Sequence, residues 1–199
     1  MFSTDQFFAD IDRVIGGFGE ADRPRARRLI AELENVAARV PHAAERCHAY
    51  QAQLYLKLQE FEQALLMVEK ALLLMPLDDN LLILRGDIHR TAEEYSRALQ
   101  DYGQVLAARP DSVTARMHRA ALNQAQGQYA AALADLNAAL QHEPRSLRLI
   151  YRRGLVLVDL GQAADAVQDF RAVARQSPAG ELKQKARERL RELGVGAEE

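Results

Sequence analysis

Apolar and polar positions alternate with the period of an α-helix along most of the chain. Apolar residues recur three and four positions apart, as in Leu54 and Leu58, and again in Leu65, Val68 and Leu72. This spacing places them on one face of a helix. Proline and turn-forming residues interrupt the pattern at intervals, so it predicts short amphipathic helices joined by turns.

The interruptions follow a strict period. The prolines that mark it are spaced by 34 residues, at Pro76, Pro110, Pro144 and Pro178. Because proline lacks an N–H and disfavours helix in the residue before it, each one ends a copy. Residues suited to cap the next helix follow the prolines: Asp78, Asp111, Ser112 and Ser146.

Residues one period apart share their chemistry. When the chain is aligned on this period, each set of equivalent positions forms a column, and one column contains only small residues: Ala52, Gly86, Ala120 and Gly154. A second column is Ala64, Ala98, Ala132 and Ala166, and a large one is Val68, Tyr102, Leu136 and Phe170. A turn column between them contains Gln59, Glu93, Gly127 and Gly161. The small column marks a close approach of two helices, and the large column fills the space beside it. We therefore predict four helix–turn–helix copies within residues 43–178, at about 45–78, 79–112, 113–146 and 147–180.

The period, the order of small, aromatic, Ala and Pro columns, and the glycine turn resemble the tetratricopeptide repeat. The aromatic between the two helices is Phe61, Tyr95 and Tyr129, with Ala163 in the last copy. The tryptophan expected early in each copy is absent, and the expected tyrosine is kept only as Tyr55. The resemblance implies an all-α fold: a right-handed superhelical solenoid with helical caps at both ends, whose first helices line a concave face.

Both ends of the array carry further helical patterns. Residues 1–42 predict two helices, near Thr4–Ile15 and from Pro24 to about Val40. They form either a degenerate fifth copy that caps the array or an apolar face that docks into the groove or onto another subunit. That face consists of Phe2, Phe7, Phe8 and Ile11, and its docking on another subunit would allow self-association.

The last part of the chain, 181–199, predicts a capping helix and a short tail. Leu182, Ala186, Leu190 and Leu193 lie on one face of that helix, and Gly194 ends it.

Two charged columns accompany the repeat. Arg85, Arg119 and Arg153 each precede an aspartate by sixteen residues, namely Asp101, Asp135 and Asp169. In the first copy both columns are lost together, as Gln51 and Met67. We predict ion pairs across the two helices of a copy. Arg85 also begins an Arg-Gly-Asp tripeptide, but its helical position gives it a structural role without an adhesion receptor.

Composition narrows the classes of function. The 199 residues carry a formal charge of −2, so the sequence does not indicate a nucleic-acid partner. We expect no membrane span, no secretory signal and no internal disulfide, since Cys47 is the single cysteine. A cytoplasmic location fits these features.

No catalytic motif is present, so we expect neither enzyme activity nor a cofactor. The sequence lacks a phosphate-binding loop and a Gly-x-Ser-x-Gly elbow. The nearest approach to a metal site is His42, Cys47 and His48, but Cys47 falls in a core column. We expect no metal.

The resemblance implies a scaffold that binds a peptide segment of another protein in its groove. The groove columns give the candidate contacts Tyr50, Gln53, Asn80, Asp87, Met117, His118, Arg148, Tyr151 and Arg152. In the fourth copy, Tyr151 offers a flat contact, while Arg148 and Arg152 either hold an acidic group or keep the groove soluble. The columns do not match the clamp that some family members use for heat-shock chaperone tails.

Three functions agree with these features. The first is a non-enzymatic adaptor for a protein or peptide partner. The second is a tetratricopeptide chaperone of bacterial secretion or assembly, and the third is a scaffolding or regulatory subunit of an enzyme complex.

Overall fold

The computed structural model describes residues 4–196 and shows only helices and turns there. Short 3-10 turns, Glu20–Asp22 and Pro41–Ala43, flank the second helix. The α-helices of this part of the chain are α1 Thr4–Gly16, α2 Arg23–Arg39, α3 Ala44–Leu58, α4 Phe61–Leu74, α5 Asp79–Thr91, α6 Tyr95–Ala108, α7 Val113–Ala125, α8 Tyr129–His142, α9 Leu147–Asp159, α10 Ala163–Gln176 and α11 Glu181–Glu192. The prediction of an all-α helical repeat is confirmed.

The turn inside each copy has the same backbone conformation. The turn-column residues all adopt positive φ: Gln59 63°, Glu93 62°, Gly127 72° and Gly161 74°. In each turn, the next N–H donates to a carbonyl five residues back, as from Glu60 to Tyr55 at 2.9 Å. This bond pattern ends a helix at a left-handed residue, which explains the glycines in two of the copies.

The predicted caps begin the first helices of the later copies. The Asp78 carboxylate accepts the Leu81 N–H at 3.0 Å, and the Ser112 hydroxyl accepts the Ala115 N–H at 3.3 Å. Ser146 occupies the equivalent position without a side-chain capping bond. Side-chain capping therefore varies among copies that share the same helical register.

The chain forms two compact units, Met1–Asp101 and Tyr102–Glu199. In the first unit, a core of α1, α2 and α3 contains Phe8, Ile11, Leu33, Cys47 and Leu54, all at most 2% exposed. In the second unit, one buried cluster lies among α7, α8 and α9 and another among α9, α10 and α11.

The small and large columns meet in the core of the second unit. A Cβ added to Gly154 would lie 2.8 Å from Cε1 of Phe170, which is closer than side-chain carbons approach. In the copies that have alanine in the small column, the large residue is aliphatic: Ala120 accompanies Leu136, and Ala52 accompanies Val68. The size of one residue therefore compensates for that of the other.

Helix α1 packs on α3 within the first unit. The Phe8 ring stacks on Tyr50, with 5.3 Å between the ring centroids, and the Arg46 guanidinium lies 4.0 Å from the Phe8 centroid. One period later, the columns of Arg46 and Tyr50 hold Asn80 and Leu84, which lie beside α3. The residues of α3 that contact α1 therefore stand in the same columns as the residues of α5 that lie beside α3.

The apolar face predicted on α1 is buried inside the first unit. Phe7, Phe8 and Ile11 are buried in the core that α1 forms with α2 and α3. Phe2, which was included in that face, lies outside the described residues. The three described side chains are therefore not exposed for self-association.

Candidate functional site

An open pocket lies between α3 and α5 of the first unit. It has a volume of about 380 Å³. It is lined by Gln53, Leu56 and Lys57 of α3, by Asn80, Ile83, Leu84, Asp87 and Arg90 of α5, and by Ile15 of α1. Its charged residues lie toward the C-terminal ends of α3 and α5, and the rest of its lining is apolar or uncharged. Three of the candidate groove residues, Gln53, Asn80 and Asp87, lie together here.

Tyr50, a further candidate groove residue, is engaged by α1. Its ring is stacked under Phe8, and it is only partly exposed. Burial raises the pKa of the Tyr50 hydroxyl; Arg46 opposes this shift, and the Asp12 carboxylate of α1 adds to it. The Phe8 contact therefore covers part of the surface that sequence reasoning assigned to a partner.

A second pocket, of about 350 Å³, lies between α9 and α11 of the second unit. It is lined by Gln124, Leu155, Val158, Asp159, Arg189, Glu192 and Leu193. Leu155, Val158 and Asp159 stand three periods after the α3 residues of the first pocket. Arg189 and Glu192 likewise stand three periods after residues of α5. Helix α11 therefore meets α9 in the way that α5 meets α3.

The two pockets have opposite charge at equivalent positions. The first contains Lys57, Asp87 and Arg90. Three periods later, the second contains Asp159, Arg189 and Glu192, so each charge is reversed. Sequence reasoning named Asp87 but missed the other five charged positions, because it considered only the four columns usual for the groove. The signal available in the sequence was the register itself, which continues into α11.

The remaining candidate groove residues lie in the second unit. Met117 is partly buried against the cluster of α7, α8 and α9, and the His118 ring lies 5.9 Å from the Tyr102 ring. The Tyr151 ring contacts Phe170 at 5.5 Å, and a hydrogen bond to Tyr151 raises the pKa of Arg189. The last two candidates are Arg148, which is exposed, and Arg152, which is half-buried.

Each predicted arginine–aspartate pair forms a two-point contact. The Arg85 Nη2 group donates to Asp101 Oδ1 at 2.6 Å and Nε to Oδ2 at 3.2 Å. The corresponding distances are 2.6 and 2.8 Å for Arg119 with Asp135, and 2.7 and 2.8 Å for Arg153 with Asp169. The hydrogen bonds to aspartate raise the pKa of each arginine.

The pairs are unequally exposed and differ in their surroundings. The aspartate side chains are 4%, 6% and 9% exposed, in chain order, whereas the arginines are about a third exposed or less. Asp135 has a second cation nearby, Arg116, whose Nη1 lies 3.7 Å from Oδ1. In the first copy, Gln51 donates to the Ile30 carbonyl at 3.1 Å instead, so its buried amide is satisfied without a charge.

The described residues contain no group of three or more His, Cys, Asp or Glu side chains placed to hold a metal ion. Burial raises the pKa of the Cys47 thiol, which disfavours the thiolate that metals bind. His89 is buried, with Nδ1 2.7 Å from Glu94 Oε2. Among residues 4–196, no helix is both long enough and apolar enough to cross a bilayer.

An array of helical hairpins with equivalent pockets at fixed register defines a helical repeat protein. Models of the tetratricopeptide repeat match residues 51–112 and 121–181, and a further model matches residues 86–147. The chain belongs to the tetratricopeptide repeat family, and as such it is a protein-interaction module. No curated protein matches the chain in sequence.

Solved structures of the family share the fold. A tetratricopeptide repeat protein from Parabacteroides merdae ATCC 43184 is 17% identical, with a TM-score of 0.70, over 95% of this chain and 74% of that one. YrrB, a TPR protein with an unusual peptide-binding site, is 15% identical, with a TM-score of 0.60, over 92% and 90%. The first TPR of Spaghetti (RPAP3), bound to the HSP90 peptide SRMEEVD, is 22% identical, with a TM-score of 0.53, over 58% and 90%.

Proposed function

We propose that the chain is a non-enzymatic adaptor that binds a peptide segment of a partner protein on the faces of its first helices. The observation that carries the proposal is the α3–α5 pocket, where Gln53, Asn80 and Asp87 line one open surface. Such a surface, held by rigid helices, binds an extended segment with little reorganisation cost. The peptide-bound structure among the similar proteins supports the same use of the fold.

The charges around the pockets set the chemistry of the segments that bind. The pocket between α3 and α5 has two cationic residues and one anionic residue, and its apolar walls include Ile83 and Leu84. We expect it to accept an aliphatic side chain flanked by an acidic group. The α9–α11 pocket has the reverse charges and is expected to accept an apolar side chain flanked by a basic group.

The proposal includes a second contact, formed by two arginines of α9 in the fourth copy. Arg148 and Arg152 precede and follow Tyr151 on α9, and neither lines the α9–α11 pocket. We propose that they hold an acidic group of the segment beside the Tyr151 ring.

Selection of peptides on the immobilised chain tests the proposal. Dissociation constants of the selected peptides are measured for wild type, for Lys57→Ala with Arg90→Ala, and for Arg148→Ala with Arg152→Ala. We expect at least one pair of substitutions to weaken binding by about tenfold or more, which equals about 1.4 kcal/mol. The matched control is Gln141→Ala, which removes an exposed polar side chain from the end of α8. Unchanged affinity in both pairs of substitutions would contradict the proposal.

A further inference from the structure

The first copy exposes an apolar surface that the other copies lack. Its members, here called the α4 patch, lie on α4 and in the turn after it: Leu66, Leu73, Leu74, Met75 and Leu77. They are 50–81% exposed, and Leu73 is the most exposed of them at 81%. An exposed cluster of large apolar side chains is characteristic of an interaction surface.

The repeat provides an internal control for this patch. One, two and three periods after Leu66, the chain has Gln100, Ala134 and Gln168. After Leu73 the equivalent residues are Ala107, Gln141 and Arg175, and after Leu77 they are Asp111, Arg145 and Ala179. None of these residues is large and apolar. The fold does not require leucine at these positions, so the patch needs another explanation.

The charged residues between Leu66 and Leu73 indicate what covers the patch. Leu66, Glu69, Lys70 and Leu73 lie three, four and seven residues apart, on one stripe of α4, and all four are exposed. Consider the same stripe on a second molecule of the chain, running antiparallel, with the two-fold axis midway between Glu69 and Lys70. This arrangement places Leu66 of one molecule against Leu73 of the other, and Glu69 of each molecule against Lys70 of the other. A parallel arrangement would instead place like charges together.

We propose that the α4 patch is a homodimer surface in which two α4 helices pair antiparallel about this dyad. The stripe matches itself in both apolar and charged positions, as a two-fold interface requires. It extends about 10 Å along the helix, at 1.5 Å per residue, so the dimer is weak. The surface is separate from the residues that line the α3–α5 pocket, which leaves that pocket accessible in the dimer.

Sedimentation analysis of the full chain tests the proposal over about 1 µM to 1 mM, the range of weak to moderate dissociation constants. Wild type is expected to show a mass that rises from monomer toward dimer with concentration. The double substitution Leu66→Gln with Leu73→Gln, which copies residues found in later copies, is expected to remain monomeric. Ala134→Gln, which changes the exposed residue two periods after Leu66, is the matched control and is expected to dimerise as wild type does.

A charge reversal tests the antiparallel arrangement. Lys70→Glu places four carboxylates at the dyad and is expected to prevent association, whereas Glu69→Lys combined with Lys70→Glu restores opposite charges and association. Circular dichroism verifies that each variant is folded. A wild-type chain that is monomeric throughout, a dimer that survives the leucine substitutions, or a failure of the double charge reversal to restore association would overturn the proposal.

Discussion

At the scale of single residues, size and charge are matched between columns of the repeat. Gly154 leaves no room for a side-chain carbon because the Phe170 ring occupies that space. The sequence predicted the close approach from the small column. It did not show that an aromatic partner requires glycine, because that relation depends on the distance between the two helices.

Gly154→Ala is expected to lower the free energy of unfolding by about 1–3 kcal/mol, since an overpacked core forces neighbouring side chains from their positions. Combining it with Phe170→Leu is expected to restore most of the loss, because alanine with leucine is the pair at Ala120 and Leu136. Urea denaturation of both single variants and the double variant measures the coupling. Additive effects of the two substitutions would show that the residues do not compete for the same space.

Loss of the arginine of an ion pair is expected to lower the free energy of unfolding more when no second cation lies near the aspartate. Arg153→Gln leaves the buried Asp169 carboxylate without its guanidinium and is expected to cost about 2–4 kcal/mol, below the range for fully buried pairs because Arg153 is partly exposed. Arg119→Gln is expected to cost less, because Arg116 remains 3.7 Å from Asp135. Urea denaturation compares the two, and equal losses would argue against a role for Arg116.

At the scale of helices, the period predicted the existence and type of the repeated elements. The predicted N-terminal helices, Thr4–Ile15 and Pro24 to about Val40, differ by about one residue from α1 and α2. Their packing was left open because it depends on which side chains meet in space, as with Phe8 and Tyr50. The sequence predicted α11 as a capping helix but not the pocket that it forms with α9, since Glu188 stands where a true copy would have a small residue.

Removal of residues 1–18 tests the contribution of α1. Cys47 is fully buried beside α1, and burial raises its thiol pKa, so in the intact chain a thiol reagent reacts only after local opening. Each buried apolar side chain of α1 contributes about 1.5–3 kcal/mol, so the truncated chain is expected to react roughly a hundredfold faster or more. Leu73→Gln is the exposed-site control and should leave the rate unchanged. An unaltered rate after truncation would show that α1 does not stabilise this core.

At the scale of the whole molecule, the repeat places equivalent pockets in both units and gives them opposite charge. The composition of the chain could not reveal these opposite charges, because the formal charge of −2 is a sum over the whole chain and does not show where each charge lies. The repeat followed from the period, and the family from the period together with its residue columns and glycine turn. The pockets followed only from coordinates, because their flanking residues come from neighbouring helices of different copies.

Amide hydrogen exchange of the full chain, measured with and without a selected peptide, tests the central claim most directly. If the first helices of the copies form the binding surface, the peptide slows exchange in α3 and α5 or in α9 and α11, while α4, α8 and α10 exchange as before. Protection confined to α4, α8 or α10 would contradict the account, as would a bound peptide that protects none of the first helices.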